Sequence, residues 1–232
     1  MTVDSENIKL FPPDISWLGN DKGNPPTDIL NSMLYDAVFK YPSNTCESQI
    51  ISKLILIGRT YSASVERQRK KGETANKVLT KAAEEISKSG CENLLADIRL
   101  DEELTKANLD RAVNIHLTLC EALQRANNRA NSSFASKYLH FHRPKFFPIV
   151  DSLARGAWVS LMTELRRPTR GHSTLFQVKK YKTWCENVLD LRELIQKEMD
   201  VRPSLRQIDN YLLSVAHLEK DKGWAGLNTS RQ

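Results

Sequence analysis

Lys137 and Asp151 stand in the most informative stretch of the chain, Leu119 to Trp158, and an amine and a carboxylate are groups that can do chemistry. A neutral lysine amine is a nucleophile, and a charged one holds a phosphate. A carboxylate stabilises positive charge that develops at a reacting centre. Each residue also has an ordinary use. Asp151 heads the helical pattern Ser152-Leu153-Ala154-Arg155-Gly156-Ala157-Trp158, where Asp is a common cap. Lys137 lies in the short segment Phe134 to His142, among Arg125, Arg129, Arg143, Lys145, His140 and His142. Positive charge crowded in this way favours the neutral, nucleophilic form of an amine.

The segment holding both residues is unusual in its charge. No acidic residue stands between Glu121 and Asp151. Its order is helix, polar turn (Ala126 to Ser133), short helix, and a connector closed by Pro144 and Pro148. A hairpin of this kind turns the first amides of its second helix toward whatever approaches, which suits a phosphate. Arg125, Arg129, Ser132, Ser133, Arg143 and Lys145 are the candidate backbone contacts to a nucleic acid. An ordinary αα-hairpin with a solvated basic edge fits the same residues.

The elements that must position this segment read as helices throughout. Residues 1–26, with Pro12-Pro13 and Pro25-Pro26, read as an irregular arm pinned by Phe11 and Trp17. Periodicity predicts a helix from Thr27-Asp28 to Pro42 and a second from about Glu47 to Lys71. Others follow from Thr74 to Lys88, Glu92 to Arg99, and Asn108 onward, so that the hairpin spans about 108–142. Arg143 to Pro148 should be extended, with the next helix opening at Asp151. A basic turn at Arg166 to Gly171 precedes helices from about Leu175 to Met199 and Ser204 to Leu218, and the tail from Lys220 should be loose. One helical domain over 27–219 results, with a flexible tail at 220–232.

Bulk composition narrows the classes. Hydrophobic residues make up 40% and charged residues 27%, which excludes a disordered chain, and no apolar run is long enough to span a bilayer. The start of the chain lacks the succession of a signal peptide, so the cytoplasm is the expected location. Cys46, Cys91, Cys120 and Cys185 form no CxxC pair and are expected to be buried free thiols, with no metal and no cofactor. Net charge is +6, a modest bias toward an anionic partner.

Ser133-Phe134-Ala135-Ser136-Lys137-Tyr138-Leu139-His140-Phe141-His142, followed by Phe147-Pro148-Ile149-Val150-Asp151-Ser152-Leu153-Ala154, resembles the bacterial 8-oxoguanine-glycosylase-fold proteins of the helix-hairpin-helix superfamily. Ile57-Gly58-Arg59-Thr60-Tyr61-Ser62-Ala63-Ser64-Val65-Glu66-Arg67 and Leu205-Arg206-Gln207-Ile208-Asp209-Asn210-Tyr211-Leu212-Leu213 are similar to two further helices of the same proteins. The hairpin turn departs from them, being rich in Asn and Ser where Gly-x-Gly is common. The resemblance implies an all-α fold of two packed helical lobes with a cleft between them. It implies a monomeric DNA N-glycosylase that flips a modified base out of duplex DNA, with Asp151 as catalytic carboxylate and Lys137 as amine or positioning residue. Arg59, Tyr61, His140, Phe141 and Trp158 are then candidate pocket residues, though aromatics on amphipathic helices more often pack inward as core. Some such proteins attack hypermodified phage bases, for example glucosylated hydroxymethylcytosine, and others repair 8-oxoguanine. An antiviral role is the favoured expectation. A helical module that binds nucleic acid without cutting it is the alternative.

Overall fold

The computed structural model describes residues 26–164 and 177–229. The expectations for the arm, for Phe11 and Trp17, and for the basic turn at 166–171 fall outside the described residues. Within them the chain is all-α, with no strand. The helices are α1 (Pro26–Lys40), α2 (Glu47–Thr60), α3 (Ala75–Lys88), α4 (Cys91–Ala96), α5 (Leu109–Asn127), α6 (Ser132–His142), α7 (Ser152–Glu164), α8 (Gln177–Met199) and α9 (Leu205–Thr229).

Local chemistry sets several boundaries. Thr74 Oγ1 accepts the Lys77 amide at 3.2 Å and caps α3. Ser204 and Gln207 cap α9 reciprocally, with bonds of 2.8 and 3.2 Å between amides and side chains. The stripe Val78, Leu79, Ala82, Ala83 and Ile86 on α3 faces α5, whose own stripe includes Ala112, Ile115, Leu119 and Leu123. The helices gather in two clusters that touch. One is built on α3 against α5, with α2 packed on α3; the other is α7 against α9. Helix α8 packs on both α5 and α9, and α6 lies against α1, α2 and α5.

Four expectations are corrected. The second helix stops at Thr60 instead of Lys71, and a 3-10 turn at Val65–Gln68 follows. Gly58 is the cause: the Ala63 amide folds back to Gly58 O at 2.8 Å, and a Cβ on Gly58 would lie 3.0 Å from Ser64 Cα. The connector is not extended throughout, because the Phe146 and Phe147 amides both turn back to Arg143 O. The loose tail is helical as far as Thr229. Cys46 is exposed; the other three cysteines are buried and all four are free.

His116, His140 and His142 are buried and neutral. Each donates one ring N–H to a backbone carbonyl, of Ser132, Phe147 and Tyr138 respectively. His140 Nε2 accepts from the Tyr35 hydroxyl at 2.6 Å, and His142 Nε2 from Lys53 Nζ at 3.0 Å. Burial pushes their pKa values down to about 4, 4 and 3. The unfolded chain therefore binds protons that the fold refuses. Stability from these groups is complete above the ordinary imidazole value near 6.5 and is lost as pH falls toward 4. Each costs about 1.4 kcal/mol per pH unit in that window. Asp209, raised by burial to about 6, opposes them with one group. Urea midpoints measured from pH 7 to pH 4.5 should fall steadily; a flat profile would contradict neutral burial.

Candidate active site

Asp151 is delivered to its place by a connector whose last four residues, Phe147 to Val150, are each held by a hydrogen bond. Phe147 O accepts from His140 Nδ1 at 2.8 Å, and Pro148 O from the Tyr181 hydroxyl at 3.1 Å. Ile149 O accepts from Trp184 Nε1 at 2.7 Å, and the Val150 amide donates to Ser136 Oγ at 3.0 Å. Helices α6 and α8 thus grip the connector from two sides. Tyr181 is itself stacked on His116 of α5, with ring centroids 3.7 Å apart. Such a frame fixes the carboxylate far better than a free loop does.

The carboxylate has two tasks. Asp151 Oδ1 accepts the Ala154 amide at 2.9 Å, which makes it the cap of α7. Its other oxygen, Oδ2, lies 3.3 Å from Lys137 Nζ. Lys137 is 2% exposed, donates to Ser133 Oγ at 2.9 Å, and stands 5.5 Å from the centre of the Tyr61 ring. A lysine so deeply buried is rare unless it is paired. The amine, the carboxylate and the aromatic face border one cleft of about 440 Å³, together with Ser62, Asn131, Ser132, Ser133, Leu153 and Arg155. A smaller pocket of about 170 Å³ shares Ser132, Ser133 and Arg155 with it and is completed by Val150, Lys180 and Tyr181.

The hairpin forms this rim without glycine. Asn128 and Asn131 adopt φ of 62° and 49°, a left-handed conformation that Asn tolerates better than most residues. Asn127 Oδ1 ties the turn by accepting from the Arg129 amide at 2.9 Å and from Asn131 Nδ2 at 3.0 Å. Asn131, not Ser132 or Ser133, is the N-cap residue of α6, and its side chain makes no cap bond. Both serines instead line the cleft, Ser133 as the partner of Lys137.

Of the proposed site residues, the fold brings Lys137, Asp151, Tyr61, Ser132 and Ser133 together. It does not bring the others. His140, Phe141 and Trp158 are buried and are not among the residues lining the cleft. Phe141 packs beneath Tyr35 and Tyr61. His140 and His142 carry no charge toward Lys137, because both are neutral. Arg59 is exposed, 3.9 Å from Glu66. Arg143 spends its guanidinium on the carbonyls of Leu95, Ile98 and His142. Arg125 pairs with Glu85 at 2.6 Å, while Arg129 and Lys145 are exposed.

Sequence reasoning missed Arg155, Lys180, Ser136, Tyr181, Trp184 and the pair of half-buried Arg206 with buried Asp209. Arg155 was findable, since it lies one helical turn after Asp151 and so shares its face. Tyr181 and Trp184 act through tertiary contacts that no local pattern announces. Among the described residues, no group of three or more His, Cys, Asp or Glu could hold a metal ion, and no helix is long and apolar enough to cross a membrane. Compared with family models, curated proteins and solved structures, the chain matches none.

Proposed function

We propose that this chain is a DNA N-glycosylase acting on a modified base, with Asp151 and Lys137 as its catalytic residues. One observation carries the reading: a buried lysine and a helix-capping aspartate, fourteen residues apart in sequence, lie 3.3 Å apart at the edge of an open cleft. The helix-hairpin-helix resemblance points at the same two residues. Breaking an N-glycosidic bond builds positive charge on the deoxyribose, and a carboxylate beside C1′ lowers the energy of that state. A flipped nucleotide would enter the cleft with its sugar toward Asp151 and its base against Tyr61. If Lys137 attacks C1′, the base leaves and a Schiff base forms; if water attacks, Lys137 only positions the sugar.

The occupant favoured is a bulky modified pyrimidine, such as glucosylated hydroxymethylcytosine in phage DNA, which makes the biological role antiviral. Support comes from the size of the cleft, which falls in the range of roughly 300–1,000 Å³ typical of small-ligand sites, and from its serine and asparagine edge. An unmodified base would leave those groups unpaired. Repair of 8-oxoguanine is the alternative substrate. Mass spectrometry of bases released from phage DNA with and without the modification, and from an 8-oxoguanine duplex, tests the choice. Release from the 8-oxoguanine duplex alone would replace defence with repair.

A second reading has its own support. Lys137 already has Ser133, Asp151 and the Tyr61 face as partners, so the pair could simply fasten α6 to α7 in a module that binds DNA without cutting it. Both readings place phosphates at the same rim. Changing Arg155 and Lys180 together to Gln should lower the salt slope of duplex binding by about 0.9 per lost contact, so by close to two. Changing Arg125 should do less, because Glu85 already holds it. Fluorescence anisotropy at several salt concentrations reads the slope, and an unchanged slope for the Arg155 and Lys180 pair would move the DNA face elsewhere.

A further inference from the structure

Ser133 and Lys137 stand four residues apart on α6, one helical turn along a single face. Long side chains on a helix lean back toward its N-terminus. The Lys137 amine is accordingly carried to the first turn of α6, where Ser133 Oγ accepts from Nζ at 2.9 Å. Asp151 Oδ2, at 3.3 Å, is the other acceptor of Nζ among the described residues. The first turn is the positive end of a helix, so the ammonium gains nothing from α6 itself and depends on these two oxygens.

Ser133 is fixed to the same frame as Asp151. Its carbonyl accepts from Ser136 Oγ at 2.9 Å, and Ser136 Oγ in turn accepts at 3.0 Å from the amide of Val150, the residue before Asp151. On its other side, His116 Nε2 holds Ser132, 3.1 Å from the carbonyl and 3.3 Å from Oγ. Ser133 also borders both the cleft and the smaller pocket.

The two acceptors differ in what they can do during the reaction. Positive charge growing on the sugar calls for Asp151. An attacking amine turns its lone pair to carbon and gives up the carboxylate. A hydroxyl oxygen is neutral, and it accepts from an uncharged amine as well as from an ammonium.

We propose that Ser133 is a positioning residue that aims the Lys137 amine at C1′ of the flipped nucleotide. The proposal deepens the glycosylase reading and rests on it. The amine enters the step neutral, its ammonium proton having passed to solvent. The bond from Nζ to C1′ forms as the bond from C1′ to the base breaks. The electron pair leaves with the base, which then takes one proton from the new secondary ammonium. One N–H stays on Ser133 Oγ throughout, and Asp151 is left to the sugar.

Single-turnover base release from a modified duplex tests the proposal through Ser133→Ala and Ser133→Thr. Ser133→Ala should lower the maximal rate by about 10-fold to 100-fold, the scale on which a slightly misplaced reacting group acts. The half-saturating protein concentration should not change. Ser133→Thr, which keeps the hydroxyl, should restore the rate. A wild-type rate in Ser133→Ala, or a Ser133→Thr as slow as Ser133→Ala, would overturn the proposal. A raised half-saturating concentration with an intact maximal rate would also overturn it, and would make Ser133 the DNA-backbone contact that its sequence suggests. The bond itself is read without DNA, by 15N NMR of the lysine ammonium groups in the full chain, with the Lys137 signal assigned by its loss in Lys137→Met. Its protons should exchange with water several-fold faster in Ser133→Ala than in the wild type or Ser133→Thr. Equal exchange in all three would overturn the proposal, whatever the protein does to DNA. A wild type that releases base but is never trapped by borohydride would overturn the aiming role alone. A wild type that releases no base would overturn the glycosylase reading, and the aiming role with it.

Discussion

Asp151→Asn is expected to cut base release by about two orders of magnitude or more while the protein stays folded and still binds DNA. Asn caps a helix about as well as Asp does, so the bond from the Ala154 amide survives. What disappears is the charge. Loss of one key electrostatic stabiliser of a transition state costs roughly 100-fold to 1,000-fold in rate. Lys137, 2% exposed, loses its ionic partner and keeps only Ser133 Oγ as an acceptor, so some loss of stability is expected alongside. Single-turnover kinetics on a modified duplex measure the effect. A variant that releases base at nearly the wild-type rate would end the mechanism.

Lys137→Met should abolish covalent capture. Methionine fills much of the same apolar volume, so the change removes the amine with little loss of packing. Wild-type protein incubated with substrate and borohydride should yield a covalent protein–DNA adduct on a denaturing gel, and the variant none. Base release by the variant should fall by about 100-fold or more, in the range seen for lost nucleophiles and general bases. A wild type that releases base without ever being trapped would make Lys137 a positioning residue and water the nucleophile. Removing the ammonium also leaves Asp151 and Ser133 without their shared donor, so some loss of stability is expected alongside.

Local signals located the hairpin because they are strong over short range, whereas the choice of Lys137 and Asp151 as catalytic candidates came from the family resemblance. Asn108 before α5, Thr74 before α3 and Asp151 before α7 each stand where an apolar period begins. The end of α2 was not legible in the same way. Its apolar period continues through Tyr61 and Val65, and only the close approach of Ser64 to Gly58 shows why the chain must turn. Ser62, at φ 52°, occupies a conformation that a sequence pattern does not assign to serine. The pocket walls were legible only in part, since an aromatic on an amphipathic helix reads the same whether it faces a core or a cleft. Tyr61 faces the cleft and Phe141 packs beneath it. Arg143 shows the limit for charge: in sequence it belongs to the basic stretch, yet the carbonyls of Leu95 and Ile98 consume its donors.

The central claim is that the Lys137–Asp151 pair cleaves an N-glycosidic bond. The most direct test is single-turnover incubation of the protein with DNA carrying glucosylated hydroxymethylcytosine, with free base measured by mass spectrometry for the wild type and Asp151→Asn in parallel. The account predicts free modified base and abasic DNA from the wild type, almost none from the variant, and none from unmodified DNA. Absence of any free base from this DNA and from an 8-oxoguanine duplex, with binding intact, would contradict it and leave a module that holds DNA without cutting it.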